Sequence, residues 1–579
     1  MVDSAVLNSI LIVHVLCCFE GKLKIRLNFQ IFFHVLNSWH DIYRVFIKYY
    51  FLIEESNMSS NNIVQYVLLR SDLLKELGWS IGALVAQACH ASSAVIHLNR
   101  YDEQTIKYLD DLDNMHKVVL EVPNEDALRK VAAKLQENSI AHKLWIEQPE
   151  NVPTCLAIKP YPKDEVKKYV GFTGKHAVKN LIRIIKESPE LANVTWGISG
   201  RSKEKIQNLL KEIESYGDEN LRVPVIECDI KKTDVREVSK RAKILVNCTG
   251  PNTVLSESIV KACLETGTHY VDISAELFHM LNLYRNFNKA AEDSNVVIVP
   301  ACGFAVVPAA AALMVLNKEF NGTLNTVESY AELLLPKRAY FPGPNKCLVH
   351  YGTWASLVHE FQNYQEYRRL KQETFPQNIY GLEPREMKRS FFHRNNGRVW
   401  FPYPGPEVAL DDMSQRYLHS KSGKKPYHFK MYTTTPLFLH LLAVVPAFFS
   451  YYILSHLKCF RNLLWKFPRL FTVGYVSHKG PTEKMAQDTK YVMNFAGKGL
   501  DKNSKEKVLS VKVSGTDPGY ETTAITLVVC ALTILTESSN IPKGGVLGVG
   551  AAFQNTELVA NLIKSKGLVM EIKAPNSNS

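Results

Sequence analysis

Three glycine-bearing turns carry the first chemical signal. They are Gly171-Phe172-Thr173-Gly174-Lys175 at the start of a predicted helix, Ser199-Gly200-Arg201-Ser202 after a predicted strand, and Asn247-Cys248-Thr249-Gly250-Pro251 at the end of another. Glycine at a strand-to-helix turn lets the backbone approach an anionic group, whose charge the helix N-terminus then stabilises. Arg201 stands where a carboxylate would favour sugar hydroxyls, and its guanidinium suits a phosphate instead. Asp229, past the next strand, offers an acceptor. A plainer reading stands beside this one: Gly200 and Gly250 serve turns only, and Arg201 is a solvated neighbour of a helix cap. A second group lies upstream, where Gln87 and His90 share a helical face in Gly82-Ala83-Leu84-Val85-Ala86-Gln87-Ala88-Cys89-His90-Ala91. HExxH, GxSxG and Walker A patterns are missing, so zinc-protease, serine-hydrolase and P-loop chemistry have no support.

These groups need elements to hold them. Ile63–Leu69 reads as a strand. Ile81, Leu84, Val85, Ala88, Ser92 and Val95 recur at helical spacing, which predicts a stripe with Gln87, His90 and Ala94 on another face. Val118–Val122 is strand-like, and Asn124 is placed to cap a helix bearing Ala127, Leu128, Val131, Ala132 and Leu135. Short strands over Lys143–Ile146 and Cys155–Ile158 complete a small sheet covered by helices. From 171 a longer alternation begins. Helix (Val178, Leu181, Ile182, Ile185), strand (Asn193–Ile198), helix (Lys203–Ile213) and strand (Val223–Cys228) are followed by strand Ala242–Cys248, helix Glu257–Thr266, and strands Tyr270–Ile273 and Val296–Pro300. Short apolar strands separated by helices predict a parallel, doubly wound sheet. Residues 325–430 and 470–575 are mixed in pattern and are expected to form one further domain.

At 579 residues the chain exceeds one compact core, and a prior of roughly 150 residues per domain gives about three or four folding units. Hydrophobic residues at 46% and charged residues at 22% are ordinary globular values, which excludes wholesale disorder, a collagen and a polytopic membrane protein. The net charge of +12 is spread along the chain and permits RNA or anionic lipid without demanding either. Eleven cysteines, an odd count with no CxxC pair, read as buried residues of a reducing compartment. Residues 1–57 read as an apolar leader upstream of a natural start at Met58, with a membrane anchor as the other reading. Pro436–Leu457 is an uncharged, mostly apolar stretch with Lys458, Arg461, Lys466 and Arg469 beyond it. Its length could span a bilayer, and Pro446 in its middle suits a kinked insertion into one leaflet equally well. A buried core helix is the plainer alternative.

The Gln87/His90 segment, with the strand Thr154–Pro160, resembles the type 2 peptidyl-tRNA hydrolase family over about 63–165. The resemblance implies ester hydrolysis on a tRNA partner, with Gln87, His90, Glu147 and Thr154 as catalytic candidates. The family's lysine four residues before the glutamine is Ala83 here, and its loop aspartate is best matched by Glu147.

The three glycine turns, together with Gly267–Ser274, Cys302-Gly303-Phe304, Gly352–Ser356, Asp517-Pro518-Gly519-Tyr520 and Gly544–Phe553, resemble the saccharopine dehydrogenase-like oxidoreductases over 171–579. That resemblance implies NADP, or NAD, held by Gly171, Thr173, Gly174, Gly200, Arg201, Asp229, Thr249 and Gly250. The family's first strand and leading glycines are missing before Gly171, and Ala305 and Val306 replace its aspartate and serine after Phe304. The junction near 166–171 has no linker, so the chain reads as a fusion of two modules.

The expected fold is therefore α/β, in three parts. A hydrolase-like domain over 58–166 has a small mixed sheet, and a Rossmann-like domain over 171–310 lacks its first strand. An α+β substrate-side domain over 311–575 contains the membrane segment 436–457. The expected function is an NAD(P)-dependent oxidoreductase acting on a small-molecule or lipid substrate, in a lipid or glycolipid context, without a metal. It would sit on the cytoplasmic side of a lipid droplet or membrane, with the mitochondrion as a further location. A peptidyl-tRNA hydrolase and a non-catalytic lipid-surface scaffold are the alternatives.

Overall fold

The computed structural model describes residues 63–137, 140–162, 172–214, 223–230, 234–250, 252–304, 306–341, 346–478 and 480–573. The leader over 1–57, Gly171 and Ala305 lie outside them. The chain divides into two compact units, Met1–Lys168 and Tyr169–Ser579.

In the first unit, β1 (Ile63–Arg70) lies at the middle of a sheet and is apolar on both faces. It pairs in parallel with β2 (His116–Val122) and antiparallel with β4 (Val152–Ile158), beyond which lies β3 (His142–Glu147). Helix α1 (Ile81–Leu98) covers one face, its Ala91 and Val95 packing on Val67, Cys155 and Ala157. After α2 (Glu103–Asp110), helix α3 (Glu125–Glu137) covers the other face through Leu128. As the sequence predicts, Asn124 caps α3, its side-chain oxygen accepting from the N–H of Ala127 at 3.0 Å. The stripe on α1 differs from expectation. Ile81 and Val85 are exposed, whereas Gln87 is buried with Leu84, Ala91 and Val95. A hydrogen bond from Thr154 accounts for that inversion, because it makes Gln87 tolerable inside. The buried guanidinium of Arg70 ties three elements together, bonding both oxygens of Asp72 (3.0 and 2.7 Å), Glu125 (3.1 Å) and the Pro153 carbonyl (2.8 Å).

The second unit opens with α4 (Phe172–Glu187), β6 (Ile198–Gly200), α5 (Lys203–Glu214) and β7 (Val225–Glu227), a two-residue strand β5 (Tyr161–Pro162) having ended the first. There follow β8 (Ile244–Asn247), α6 (Asn252–Thr266), β9 (His269–Asp272), α7 (Leu277–Asp293) and β10 (Val297–Val299). All strand pairs here are parallel. They form two sheets: β6 with β7, and β8-β9-β10 extended by β17 (Gly545–Val546). In a doubly wound order the strand preceding α4 lies between β6 and β8. The residues immediately before α4, 163–171, where such a strand would lie, are outside the described residues. The β10 residues Val297, Ile298 and Val299 are at most 1% exposed, whereas Val246 of β8 is 38% exposed.

The chain continues through α8 (Val306–Glu319) into β11 (Gly322–Leu334), α9 (Tyr351–Thr374), β12 (His393–Asn395), β13 (Arg398–Pro402), α10 (Glu407–Ser422) and β14 (His428–Thr433). Helices α11 (Phe438–His456) and α12 (Lys458–Lys466) precede β15 (Lys490–Asp501), β16 (Glu506–Thr516), α13 (Thr523–Thr536) and β18 (Val569–Lys573). The strands make a seven-stranded sheet in the order β12-β13-β14-β11-β15-β16-β18. Its inner face, including Val327, Met493, Phe495, Val511 and Val513, shares one core with α8, α13 and the start of the unit.

Among the described residues searched, two stretches are long and apolar enough to cross a membrane, Ile81–Leu98 and Pro518–Thr536. The second is largely buried and is α13 with its leading turn. Helix α11 lays one side on α9, where Phe448 meets Phe361 at 4.7 Å between ring centres and Tyr451 meets Trp354 at 5.2 Å.

Helix α10 carries acids inward. Asp412 is matched by Lys371 (2.8 Å), Arg416 (3.0 Å) and the Tyr380 hydroxyl (2.8 Å). Burial pushes the Glu407 carboxyl up to about 7, and pushes Asp411 the same way against hydrogen bonds from Tyr427 and Gln415. A carboxyl raised in the folded state holds a proton that the unfolded chain releases. Its stabilisation is complete below the unfolded value near pH 4 and is lost as pH rises through about 7. The Glu407 shift alone corresponds to about 3 kcal/mol. Thermal melts at pH 5.5 and pH 8 are expected to show the wild-type chain less stable at pH 8. Glu407→Gln should shrink that difference, and an unchanged difference would show that Glu407 is not responsible.

Candidate functional site

The carboxyl ends of the parallel strands gather most of the predicted residues. Thr173 and Gly174 lie in the first turn of α4, which carries no acidic residue to neutralise its N–H groups. A side chain at Gly174 would start 3.7 Å from Cβ of Cys248, so this turn stands over the carboxyl end of β8. Thr249 and Gly250 follow there. The Thr249 N–H and hydroxyl both donate to Oδ1 of Asn247, at 2.9 and 2.6 Å, and Gly250 faces open space. Gly200 ends β6 close under α5, where an added Cβ would sit 3.3 Å from Cδ1 of Ile206. Arg201 is exposed immediately after it, and Asp229 lies just past β7. The structure thus brings Gly174 against Cys248, which Thr249 and Gly250 follow, and leaves Arg201 and Asp229 on the β6–β7 fragment, while Gly171 falls outside the described residues.

The first turn of α4 is held from the far end of the unit. His176 Nδ1 and Glu521 Oε2 lie 2.9 Å apart. Burial alone would raise the Glu521 carboxyl, but His176, Asn180 and Arg183 hold it below the ordinary range. Glu521 belongs to the Asp517–Thr522 turn, where the Asp517 carboxylate accepts from the Tyr520 N–H at 3.2 Å.

One cluster was missed as a site by sequence reasoning, although its motifs were singled out. Asp272, fully buried at the end of β9, accepts from the Tyr270 hydroxyl (2.9 Å), the Ser274 N–H (2.8 Å) and hydroxyl (2.6 Å), and the Ala301 N–H (2.9 Å). The Asn247 amide donates to Tyr270 Oη at 2.9 Å, so β8, β9 and β10 are pinned together at one end. Buried Glu276 accepts from the Ser356 hydroxyl of α9 at 2.6 Å. Burial pushes Glu360 of α9 up to about 7, against the N–H groups of Phe278 and Leu277 that favour its charged form. The signal was available in His269-Tyr270-Val271-Asp272, where a carboxylate ends an apolar strand. Val306 is buried at the start of α8 and offers packing only.

In the first unit the four predicted residues converge. The Thr154 hydroxyl donates to Gln87 Oε1 at 2.7 Å, both groups being buried. The Trp145 indole N–H donates to Glu147 at 2.9 Å, and His90 stacks on Trp145 with ring centres 4.9 Å apart. Hydrogen bonds from Trp145 and Gln87, with His90 nearby, hold the Glu147 carboxyl below the ordinary range. Trp145 was not anticipated, since a strand tryptophan ordinarily reads as core. Ala83 offers no cation. Lys117 donates to Gln65 at 2.7 Å elsewhere in the unit, and burial lowers its pKa. Among the described residues no group of His, Cys, Asp and Glu could hold a metal.

Helices α11 and α12 expose several large apolar side chains. Val444, Phe449 and Ile453 are exposed on α11, followed by Leu457, Phe460 and Leu463, with Lys458, Lys466 and Arg469 also exposed.

Residues 63–172 match the model of the peptidyl-tRNA hydrolase PTH2 family, and residues 170–299 match that of the saccharopine dehydrogenase NADP binding domain. The "Saccharopine dehydrogenase-like oxidoreductase" of Mus musculus is 31% identical over 407 residues, covering 68% of this chain and 93% of the relative. The "Lipid droplet localized protein" of Caenorhabditis elegans is 26% identical over 424 residues, covering 70% of this chain and 96% of the relative. Over 109 residues the chain is 51% identical to the "Putative peptidyl-tRNA hydrolase PTRHD1" of Homo sapiens, covering 19% of this chain and 78% of that protein.

Proposed function

Since the chain belongs to the saccharopine dehydrogenase-like oxidoreductases, which are NAD(P)-dependent, and carries a peptidyl-tRNA hydrolase PTH2 module, we propose that it is an NADP-linked oxidoreductase working at a lipid surface. The observation that carries this reading is the first turn of α4 standing over Cys248, with Thr249 and Gly250 open beside it. The fit is good: an acid-free helix N-terminus beside a glycine can receive a pyrophosphate, and open backbone at the strand ends can receive a ribose. The α4 N–H groups and Gly174 would hold the pyrophosphate, Arg201 the 2′-phosphate, Gly200 the turn beneath it, Asp229 the adenine edge, and Thr249 with Gly250 the nicotinamide ribose. The nicotinamide, when bound, supplies hydride transfer. The Asn247–Tyr270–Asp272 chain keeps the three strand ends in register around that place.

The apolar exterior of α11 and α12, edged by Lys458, Lys466 and Arg469, suits an interfacial helix resting in one leaflet of an anionic membrane or droplet surface. The name of the Caenorhabditis elegans relative agrees with this. The substrate class we assign is accordingly a lipid or glycolipid. A second reading is favoured by the convergence in the first unit. Gln87 accepts from Thr154 and donates to Glu147, an arrangement able to orient a water against an ester.

Three measurements test these readings. Titration of the full chain should give tighter binding of NADPH than NADH, and Arg201→Ser should remove about tenfold of that preference, as loss of a charged phosphate contact does. Absence of NADPH binding would sink the first reading. In flotation with phosphatidylcholine–phosphatidylserine vesicles, the wild-type chain should rise with the lipid, and Ile453→Glu should lower the bound fraction several-fold. Equal flotation of the two would remove α11 as the anchor. Cleavage of peptidyl-tRNA by the full chain, reduced at least tenfold in Gln87→Ala, would support the second reading; no turnover at all would dismiss it.

A further inference from the structure

Residues 413–482 contain no Asp or Glu, although Lys458, Arg461, Lys466 and Arg469 lie among them. No ion pair joins these cations to an acid elsewhere among the described residues. Cations without acids, beside the exposed Phe460 and Leu463, mark a surface that an anionic partner would complete.

Within that surface α12 holds two donors one helical turn apart, Arg461 and Trp465. The guanidinium lies 5.7 Å from the centre of the Trp465 ring, and the His359 ring of α9 meets the same indole at 4.8 Å. Arg461 Nη1 donates to the Ser455 carbonyl at 3.4 Å. Its Nε and the indole N–H of Trp465 are sealed from solvent, and neither has a hydrogen-bond partner in the protein. The other tryptophan of this cluster differs, since Trp354 donates to the Leu464 carbonyl at 2.8 Å. Buried donors are ordinarily satisfied, so two neighbouring orphans point to an acceptor that the chain does not supply.

The chemistry of that acceptor is constrained. It must carry negative charge for the guanidinium and offer two oxygens for two donors. It must also arrive on the side where Phe460 and Leu463 are exposed. The phosphodiester of a glycerophospholipid meets each condition. Its two unshared oxygens hold one charge between them, and its acyl chains would receive the flanking apolar side chains.

We propose that Arg461 and Trp465 form a headgroup site for the phosphate of a glycerophospholipid. The site rests on the reading of α11 and α12 as an interfacial anchor, and it gives that anchor a chemical preference.

The test is flotation of the full chain with two kinds of vesicle built on uncharged, phosphate-free digalactosyl diacylglycerol. One carries phosphatidylglycerol and the other oleate, matched in zeta potential. The wild-type chain should bind the phosphatidylglycerol vesicles about tenfold better, as charge-assisted hydrogen bonds would give. Arg461→Lys and Trp465→Phe leave the net charge unchanged. Each should weaken binding to phosphatidylglycerol vesicles about fivefold and leave binding to oleate vesicles as it was. The oleate vesicles thus control for folding and for surface charge. Equal wild-type binding to both vesicles overturns the headgroup site and leaves the anchor standing, whereas binding to neither overturns both. The site is also overturned if either variant keeps its phosphatidylglycerol binding or loses both kinds of binding equally. Soluble glycerol phosphate should not displace the chain from vesicles; displacement would assign the donors to a free phosphate and overturn the lipid.

Discussion

The second unit depends on α4 as a tie between two pieces of sheet. Two pieces of parallel sheet, β6–β7 and β8–β9–β10, share no hydrogen bonds among the described residues, and α4 packs against both. Val178 and Ile182 meet Leu209, Ile213 and Trp196 of the smaller piece. Ala177, Leu181, Ile184 and Ile185 join the main core with Ile244 and Cys248. A hydrogen-bonded ladder fixes register to a fraction of a residue, whereas side-chain packing fixes only distance and approximate angle. The residues assigned to the dinucleotide are divided along this line, with Arg201 and Asp229 on one piece and Thr249 and Gly250 on the other. Their mutual geometry is therefore set by α4 and by the segment after β7, where Cys228 and Val235 pack on Ile259 and Val260.

Within the larger piece the constraint is the opposite, a dense set of directional bonds. The Asp272 carboxylate is fully buried and answers four donors, so its charge is distributed over the ends of β9 and β10 rather than left uncompensated. This rigid corner faces the less constrained α4 side. The helix is steadied in turn by His176 on Glu521 and by Arg183 on the Ser565 carbonyl, both contacts to residues more than 340 positions later.

Much of the parallel region was legible in the sequence, because its signals are local. Short apolar runs gave β8, β9 and β10, and Asn124 gave the α3 cap. The seven-stranded sheet was not legible. Its central pair, β11 and β15, joins Gly322 to Asp501, and no local pattern announces a partner that distant. Gln87 on α1 inverted its expected side because a buried hydrogen bond outweighed periodicity. The apolar stretch 436–457 carries its signal in composition alone, which cannot separate a helix lying on α9 from one crossing a bilayer. Ser356 was quoted only as a motif letter and Glu276 not at all, since their pairing depends on α7 and α9 meeting in space.

Helix α13 raises a question of order during synthesis. It is apolar enough to engage the machinery that inserts nascent helices into membranes, yet it belongs at the centre of a core. Its neighbours α4, β8 and β9, and the long strands β15 and β16, all precede it in the chain. When α13 leaves the ribosome, most of the surface that shelters it has already been made. Moving this helix toward the N-terminus by circular permutation would keep every native contact but expose it first, converting a safe core element into a targeting hazard.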